Sequence, residues 1–96
     1  MSIRLIVSMR AVPGKGAELA QAYRERCAGI AQEPGCEQFE VFQSVVDADR
    51  LVLMEQWKDE ASLAVHAKVN ASRPPLPAGL RLEGSVREDY TYNHTR

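Results

Sequence analysis

The sequence lacks the charge excess and the long apolar runs that would assign it to several classes of protein. Its 96 residues include 12 basic and 13 acidic side chains, so the formal net charge is −1, and neither sign forms a run or a stripe. This balance argues against nucleic acid or an anionic membrane as the main partner. There is no run of about 18 or more apolar residues and no signal-peptide pattern after Met1, so we expect neither a membrane span nor secretion.

Cysteine is scarce, with Cys27 and Cys36 as the two examples. They have neither CxxC spacing nor a His/Cys cluster around them, so no metal site is predicted. We expect free, mostly buried thiols in a cytoplasmic protein, and the alternative is a disulfide or a redox pair.

The length of the chain favours one domain over residues 1–96, because two halves would each be too small to enclose a core. A domain of this size buries only somewhat more than about 60% of its unfolded surface. Its own stability would be modest, so association with a partner is expected.

Hydrophobic periodicity predicts the order β-α-β-β-α-β. The strands are predicted at 3–12, 36–46, 50–57 and 80–92, and the helices at 17–32 and 59–70. Three prolines within 74–77 cannot continue a helix or enter a central strand, so 71–79 is predicted to be a stiff surface loop. Residues 93–96 are expected to fray.

The first helix is preceded by Gly14-Lys15-Gly16, a stretch that could suggest phosphate binding. It does not complete the GxxxxGK[ST] or the GxGxxG pattern, and each pattern needs all its glycines to bring the backbone close to a phosphate. A plain turn from strand to helix is therefore predicted.

The predicted order matches a split βαβ arrangement, in which both helices lie on one face of a four-stranded antiparallel sheet. The first and third strands are apolar on both faces, so the face without helices would expose a large apolar patch. A second copy of the sheet across a two-fold axis would cover it. The sequence therefore predicts an α+β fold and a homodimer through the open sheet face.

The segment 50–70 places polar side chains where burial is expected. Its strand ends at Trp57, and the following helix carries His66 and Asn70 on the face that should be buried. Buried polar groups cost free energy unless they are hydrogen-bonded, so this helix is the first candidate for chemistry. His66 could be a base or a structural residue, and Asn70 could orient a ligand oxygen or cap the helix.

Three further charged residues need an interpretation. Glu55 lies in a strand that should be buried, so it requires a partner, for which His66 and Arg10 are candidates. Arg81 and Arg87 belong to the polar face of the last strand and are predicted to meet solvent or the dimer partner.

Three motifs together resemble the antibiotic biosynthesis monooxygenase family. They are PGKG at 13–16, EPGC followed by FEVFQS within 33–44, and VLMEQWKDEASL with a histidine after two further residues within 52–66. The resemblance covers about residues 3–70, and the last strand weakly. It implies a ferredoxin-like protomer within a dimeric α+β barrel.

Proteins of this family include cofactor-independent monooxygenases that oxidise quinols or polyketide anthrones with molecular oxygen, haem-degrading monooxygenases, an isomerase and members without a known substrate. In the monooxygenases the deprotonated aromatic substrate donates an electron to oxygen itself, so the resemblance implies neither cofactor nor metal. It places Trp57 and His66 at the family's Trp and His positions, in a cavity between helices and sheet. We expect His66 to be catalytic, and the substrate-binding candidates are Trp57, Tyr23, Phe39, Phe42 and Asn70.

The chain departs from the haem-degrading members at two places. These proteins carry an Asn on the first strand, where this chain offers Ser8, Met9 or Arg10, and an axial His at the far end of the second helix, which here reads NASRP at 70–74. Haem degradation is therefore not expected. The sequence predicts a cofactor-free monooxygenase acting on a small aromatic quinol or polycyclic phenol, and the alternative is a non-catalytic dimer of the same fold that binds a small metabolite.

Overall fold

The computed structural model describes residues 2–92 and contains the predicted order of elements. The strands are β1 (Ser2–Arg10), β2 (Cys36–Gln43), β3 (Arg50–Trp57) and β4 (Val86–Tyr92), and the helices are α1 (Gly16–Ile30) and α2 (Glu60–Ala71). The expected fraying of residues 93–96 lies outside the described part of the chain. Within residues 2–92, neither helix is long and apolar enough to cross a membrane.

The four strands form one antiparallel sheet in the order β2-β3-β1-β4. Alternation of side chains gives β1 and β3 a buried stripe that is apolar except for Glu55, and its members, which include Leu5 and Leu51, form one core cluster with Leu19 and Ile30 of α1. The helix α2 lies on the same face, where His66 contacts Trp57. Both helices therefore cover one face of the sheet, and the predicted α+β fold is confirmed.

The turn between β1 and α1 is held by a side chain from the loop between β2 and β3. Asp49 accepts hydrogen bonds from the backbone N–H groups of Gly14 and Gly16, each at 2.9 Å. A carboxylate of the protein thus occupies the N-terminus of α1, where an anion would be favoured. This arrangement agrees with the prediction of a plain turn.

Three of the predicted strands are shorter than expected, β1 by one residue and β2 and β4 by more. After β2 ends at Gln43, the Ser44 hydroxyl oxygen accepts hydrogen bonds from the N–H groups of Val46 and Asp47, which folds the chain into a turn. The last strand begins only at Val86, because residues 82–85 turn through Gly84 at a φ of +91°. The proline-rich loop is confirmed, and its Leu76 packs on the core.

A close backbone contact joins the start of β2 to the start of α2. Gly35 has a φ of +81°, and a Cβ atom there would lie 2.2 Å from the Ser62 hydroxyl oxygen. The Gly35 carbonyl also accepts a hydrogen bond from Lys58 N–H at 2.8 Å. This contact fixes the turn at 33–35 against the first turn of α2, one helical turn before His66.

The opposite face of the sheet has no helix over it and is apolar in the middle and along one end. Ile6 and Met54 are cross-strand partners at its centre, and Val52 follows beside them. Phe42 and, beyond Ser8 of β1, Val86 continue the row of Val52 towards the two edges, and they are 44% and 58% exposed. The open face that the sequence predicted is therefore present, but it is apolar only in part.

We expect Gly35→Ala to destabilise the fold by about 2–4 kcal/mol, because the new methyl group adds a steric clash with Ser62 to the cost of a left-handed conformation. Gly14→Ala is the matched control: Gly14 has a φ of +83° but nothing within 4 Å of its Cβ position. Its cost should be about 1–2 kcal/mol. Urea denaturation measures both, and equal losses would contradict the contact with Ser62.

Candidate active site

A cavity of about 560 Å³ lies between α2 and the helix-bearing face of the sheet. Ile3 and Leu5 of β1 form the apolar part of its floor, and His66, Ala67 and Asn70 line it from α2. Cavities of about 300–1,000 Å³ hold small-molecule ligands in proteins, so this volume suits a compact organic molecule.

The floor of the cavity also carries charged side chains on both sides of Leu5. Glu55 of β3 and Asp89 of β4 are the cross-strand partners of Leu5, one on each side. Arg87 lies one position further along the same face of β4, and its guanidinium donates to both carboxylate oxygens of Asp89 at 2.7 and 2.9 Å. A ligand would therefore meet the apolar side chain of Leu5 between two carboxyl groups, with the Arg87 guanidinium on the β4 side.

His66 is almost fully buried, with 7% of its surface exposed. Its ring stacks on the indole of Trp57 at a centroid distance of 4.5 Å and an interplanar angle of 29°. Phe39 packs beside it at 5.7 Å in a tilted orientation. The two aromatic rings hold the imidazole in one orientation at the cavity wall.

The hydrogen bond of His66 is made with Glu33, from the turn that precedes β2. His66 Nδ1 lies 3.0 Å from one Glu33 carboxylate oxygen, and the other oxygen accepts from the Arg73 guanidinium at 2.7 Å. A carboxylate can only accept, so in the neutral imidazole Nδ1 carries the proton and Nε2 keeps its lone pair. Within the described residues Nε2 has no hydrogen-bond partner, and it is thus available to a ligand.

Glu55 is a second buried titratable group, with 6% of its surface exposed. One of its oxygens accepts a hydrogen bond from Trp57 Nε1 at 3.0 Å. Burial raises the pKa of Glu55, and the Trp57 hydrogen bond and the nearby charges of His66 and Arg87 offset this only in part. The expected partners of Glu55 were wrong: its partner is Trp57, and Arg10 pairs instead with Asp47.

The predicted site residues are distributed over several places. His66 and Asn70 line the cavity, whereas Trp57 and Phe39 pack against the far side of the imidazole. Tyr23 lies in a separate cleft beside the proline-rich loop, where its hydroxyl accepts from Arg81 at 3.1 Å. Phe42 lies on the open face of the sheet, so it does not line the cavity next to His66.

Arg87 is 54% exposed, which agrees with the predicted contact with solvent, and it also lines the cavity. On β4, Glu88 shares the open face with Val86 and Tyr90, whereas Arg87 and Asp89 lie on the helix side. Sequence reasoning missed Glu33 and Arg73, since each contacts the site from a turn that has no periodic pattern.

The two cysteines are free and half-buried rather than mostly buried. Loss of solvent raises the pKa of both thiols, which lowers the fraction of reactive thiolate. Within residues 2–92, no group of three or more His, Cys, Asp or Glu side chains is placed to hold a metal ion.

Comparison with known proteins supports the resemblance noted in the sequence. The model of the antibiotic biosynthesis monooxygenase family matches residues 2–73. Among curated proteins, none matches the chain.

Several solved structures share the fold. A Pseudomonas aeruginosa protein, PA3566, is 25% identical with a TM-score of 0.79, over 97% of this chain and 95% of its own. A candidate antibiotic biosynthesis monooxygenase from Nitrosomonas europaea is 24% identical with a TM-score of 0.78, over 93% and 88% of the two chains. A Bacteroides thetaiotaomicron protein described as a candidate oxidoreductase is 23% identical with a TM-score of 0.75, over 95% and 97%. Because the family model spans both helices and the first three strands, and with them Glu33, Trp57 and His66, this chain belongs to the antibiotic biosynthesis monooxygenase family.

Proposed function

We propose that the protein is a cofactor-independent monooxygenase that oxidises a quinol or a polycyclic phenol with molecular oxygen. The observation that carries this proposal is the buried hydrogen bond between His66 and Glu33 at the wall of a ligand-sized cavity. It provides a base in a defined tautomer at a place from which water can be displaced.

In this proposal His66 Nε2 accepts the proton of a substrate hydroxyl group. The imidazolium that forms is stabilised by the Glu33 carboxylate on Nδ1 and by the face of the Trp57 indole. The phenolate left behind is electron-rich and reduces oxygen by one electron. The protein's contribution is therefore to hold the substrate, take its proton and keep bulk water away.

The cavity walls support a substrate with an apolar ring system and oxygen substituents. Leu5 and Leu63 offer apolar surface, while Asn70 of α2 and Arg87 of β4 offer hydrogen-bond donors. A planar aromatic molecule would place its rings over the leucines and one hydroxyl group beside His66.

We also propose that two copies associate through the open sheet face. The row of Phe42, Val52, Ser8 and Val86 crosses the sheet with three apolar side chains, and an exposed apolar patch on a small domain favours association. The cytoplasm is the compartment that we propose, because the two free cysteines suit a reducing environment.

One observation favours the alternative of a non-catalytic dimer that binds a small metabolite. Among the described residues that line the cavity, none is Phe, Tyr or Trp, so aromatic stacking on the substrate would be limited to the imidazole. Oxygen uptake distinguishes the two functions.

We expect the pure protein to consume oxygen with at least one member of a panel of quinols and anthrones, faster than their autoxidation. His66→Gln keeps a hydrogen bond to Glu33 but cannot take up a proton, so the rate should fall by about 10²- to 10⁴-fold. Lys68→Gln, on the exposed side of α2, is the control and should leave the rate unchanged. Uptake no faster than autoxidation, together with ligand-induced thermal stabilisation, would favour the binding function.

The native mass in solution should be twice 10.7 kDa at micromolar concentration. Val52→Glu places a charge in the row of Phe42 and Val86, where burial without a partner is costly, and should give a monomer. Val65→Glu, at a valine that is 57% exposed on α2, is the matched control and should remain a dimer. Light scattering measures both, and a monomeric wild-type protein would refute the dimer.

A further inference from the structure

Glu55 is a buried acid that takes no part in the proposed proton transfer from the substrate to His66. It lies on the floor of the same cavity, and its backbone sits two residues from Trp57, on which His66 stacks. Buried acids without an ion pair are rare in proteins and cost folding free energy. Its presence beside a proposed reaction centre therefore requires an explanation.

The hydrogen bond from Trp57 defines which Glu55 oxygen carries a proton. An indole N–H only donates, so the oxygen at 3.0 Å from Nε1 must accept. In the neutral acid the proton therefore lies on the other oxygen, Oε2. Within residues 2–92 no side chain gives Oε2 a hydrogen-bond partner, and Glu55 lines the cavity.

We propose that Glu55 is a second proton-transfer residue of this site, which protonates the peroxide formed when oxygen adds to the substrate. This inference rests on the proposed monooxygenase function. His66 and Glu55 then act in sequence on one bound molecule, His66 on the substrate's proton and Glu55 on the oxygen that is added.

The proton balance closes for a polycyclic phenol that reacts as its keto form, R₂CH₂. His66 takes one proton, the carbanion gives one electron to O₂, and the two radicals combine to form a C–O bond and the anion R₂CH–OO⁻. Glu55 Oε2–H protonates the outer oxygen to give R₂CH–OOH.

In the second half of the reaction, the Glu55 carboxylate takes the remaining proton from the carbon that bears the hydroperoxide. The C=O bond forms, the O–O bond breaks, and the leaving hydroxide receives the proton that His66 holds. The products are R₂C=O and water, the substrate is oxidised, one O₂ is reduced, and both side chains return to their starting states.

Burial supports this role because it raises the pKa of Glu55, so the acid keeps its proton at a higher pH than an exposed glutamate does. The charged or titratable groups around it are His66 on α2, Arg87 and Asp89 on β4, and the thiols Cys27 and Cys36 on the core side. The charges of His66 and Arg87 lower the pKa of Glu55, but desolvation, which raises this pKa, is the larger effect.

The test follows oxygen uptake and product formation with anthrone under air, as a function of pH and with autoxidation subtracted. The wild-type rate should fall at high pH, where Glu55 is ionised. Glu55→Gln keeps the acceptor for Trp57 but has no acidic proton, so the rate should drop by about 100-fold or more and the fall at high pH should disappear.

Two further variants serve as controls for Glu55→Gln. Glu55→Asp retains an acid and should keep the fall at high pH with an intermediate rate. Glu25→Gln neutralises an exposed carboxylate on α1 and should behave as wild type. A Glu55→Gln protein with the wild-type rate and an unchanged pH profile would overturn the inference while the proposed function stands.

An infrared titration of the wild-type protein covers the case in which Glu55→Gln does not fold. The band of a protonated carboxyl group should persist above the pH range in which the other carboxyl groups ionise. Loss of all such bands within that ordinary range would overturn the inference. Absence of wild-type uptake with every quinol and anthrone would instead refute the proposed function, and this inference with it.

Discussion

The hydrogen bond between His66 and Glu33 is the interaction on which the rest of the site depends. It joins α2 to the turn before β2 at 3.0 Å, across 33 positions of the chain. Gly35 makes this possible, because only a residue without a side chain fits against Ser62 one helical turn before His66. Arg73 completes the arrangement by holding the second oxygen of Glu33, so the carboxylate has one orientation.

The two faces of the sheet differ in composition, because successive side chains of each strand point to opposite faces. On one face, β1 and β3 supply the apolar core, while β4 supplies Arg87 and Asp89 to the edge of the cavity. On the other face, Val52 and Val86 are apolar side chains with no helix over them. A shift of one residue in the register of β4 would exchange these two sets of side chains.

The sequence was sufficient for the fold because hydrophobic periodicity and turn residues are local signals. It also singled out His66, since an imidazole on a helix face that should be buried is visible from spacing alone. The partner of His66 could not be found in this way: Glu33 and Arg73 lie in irregular turns, and only the folded chain brings them together. Arg87 was predicted on the polar face of the last strand, but only the folded chain shows that this face borders the cavity.

Glu33 fixes the neutral imidazole of His66 with its proton on Nδ1. Nitrogen-15 NMR of the histidine side chain measures this, since protonated and unprotonated ring nitrogens have well-separated shifts. We expect a protonated Nδ1 and an unprotonated Nε2 in the wild-type protein, and a mixture of tautomers in Glu33→Ala. A proton on Nε2 of the neutral wild-type imidazole would contradict the account.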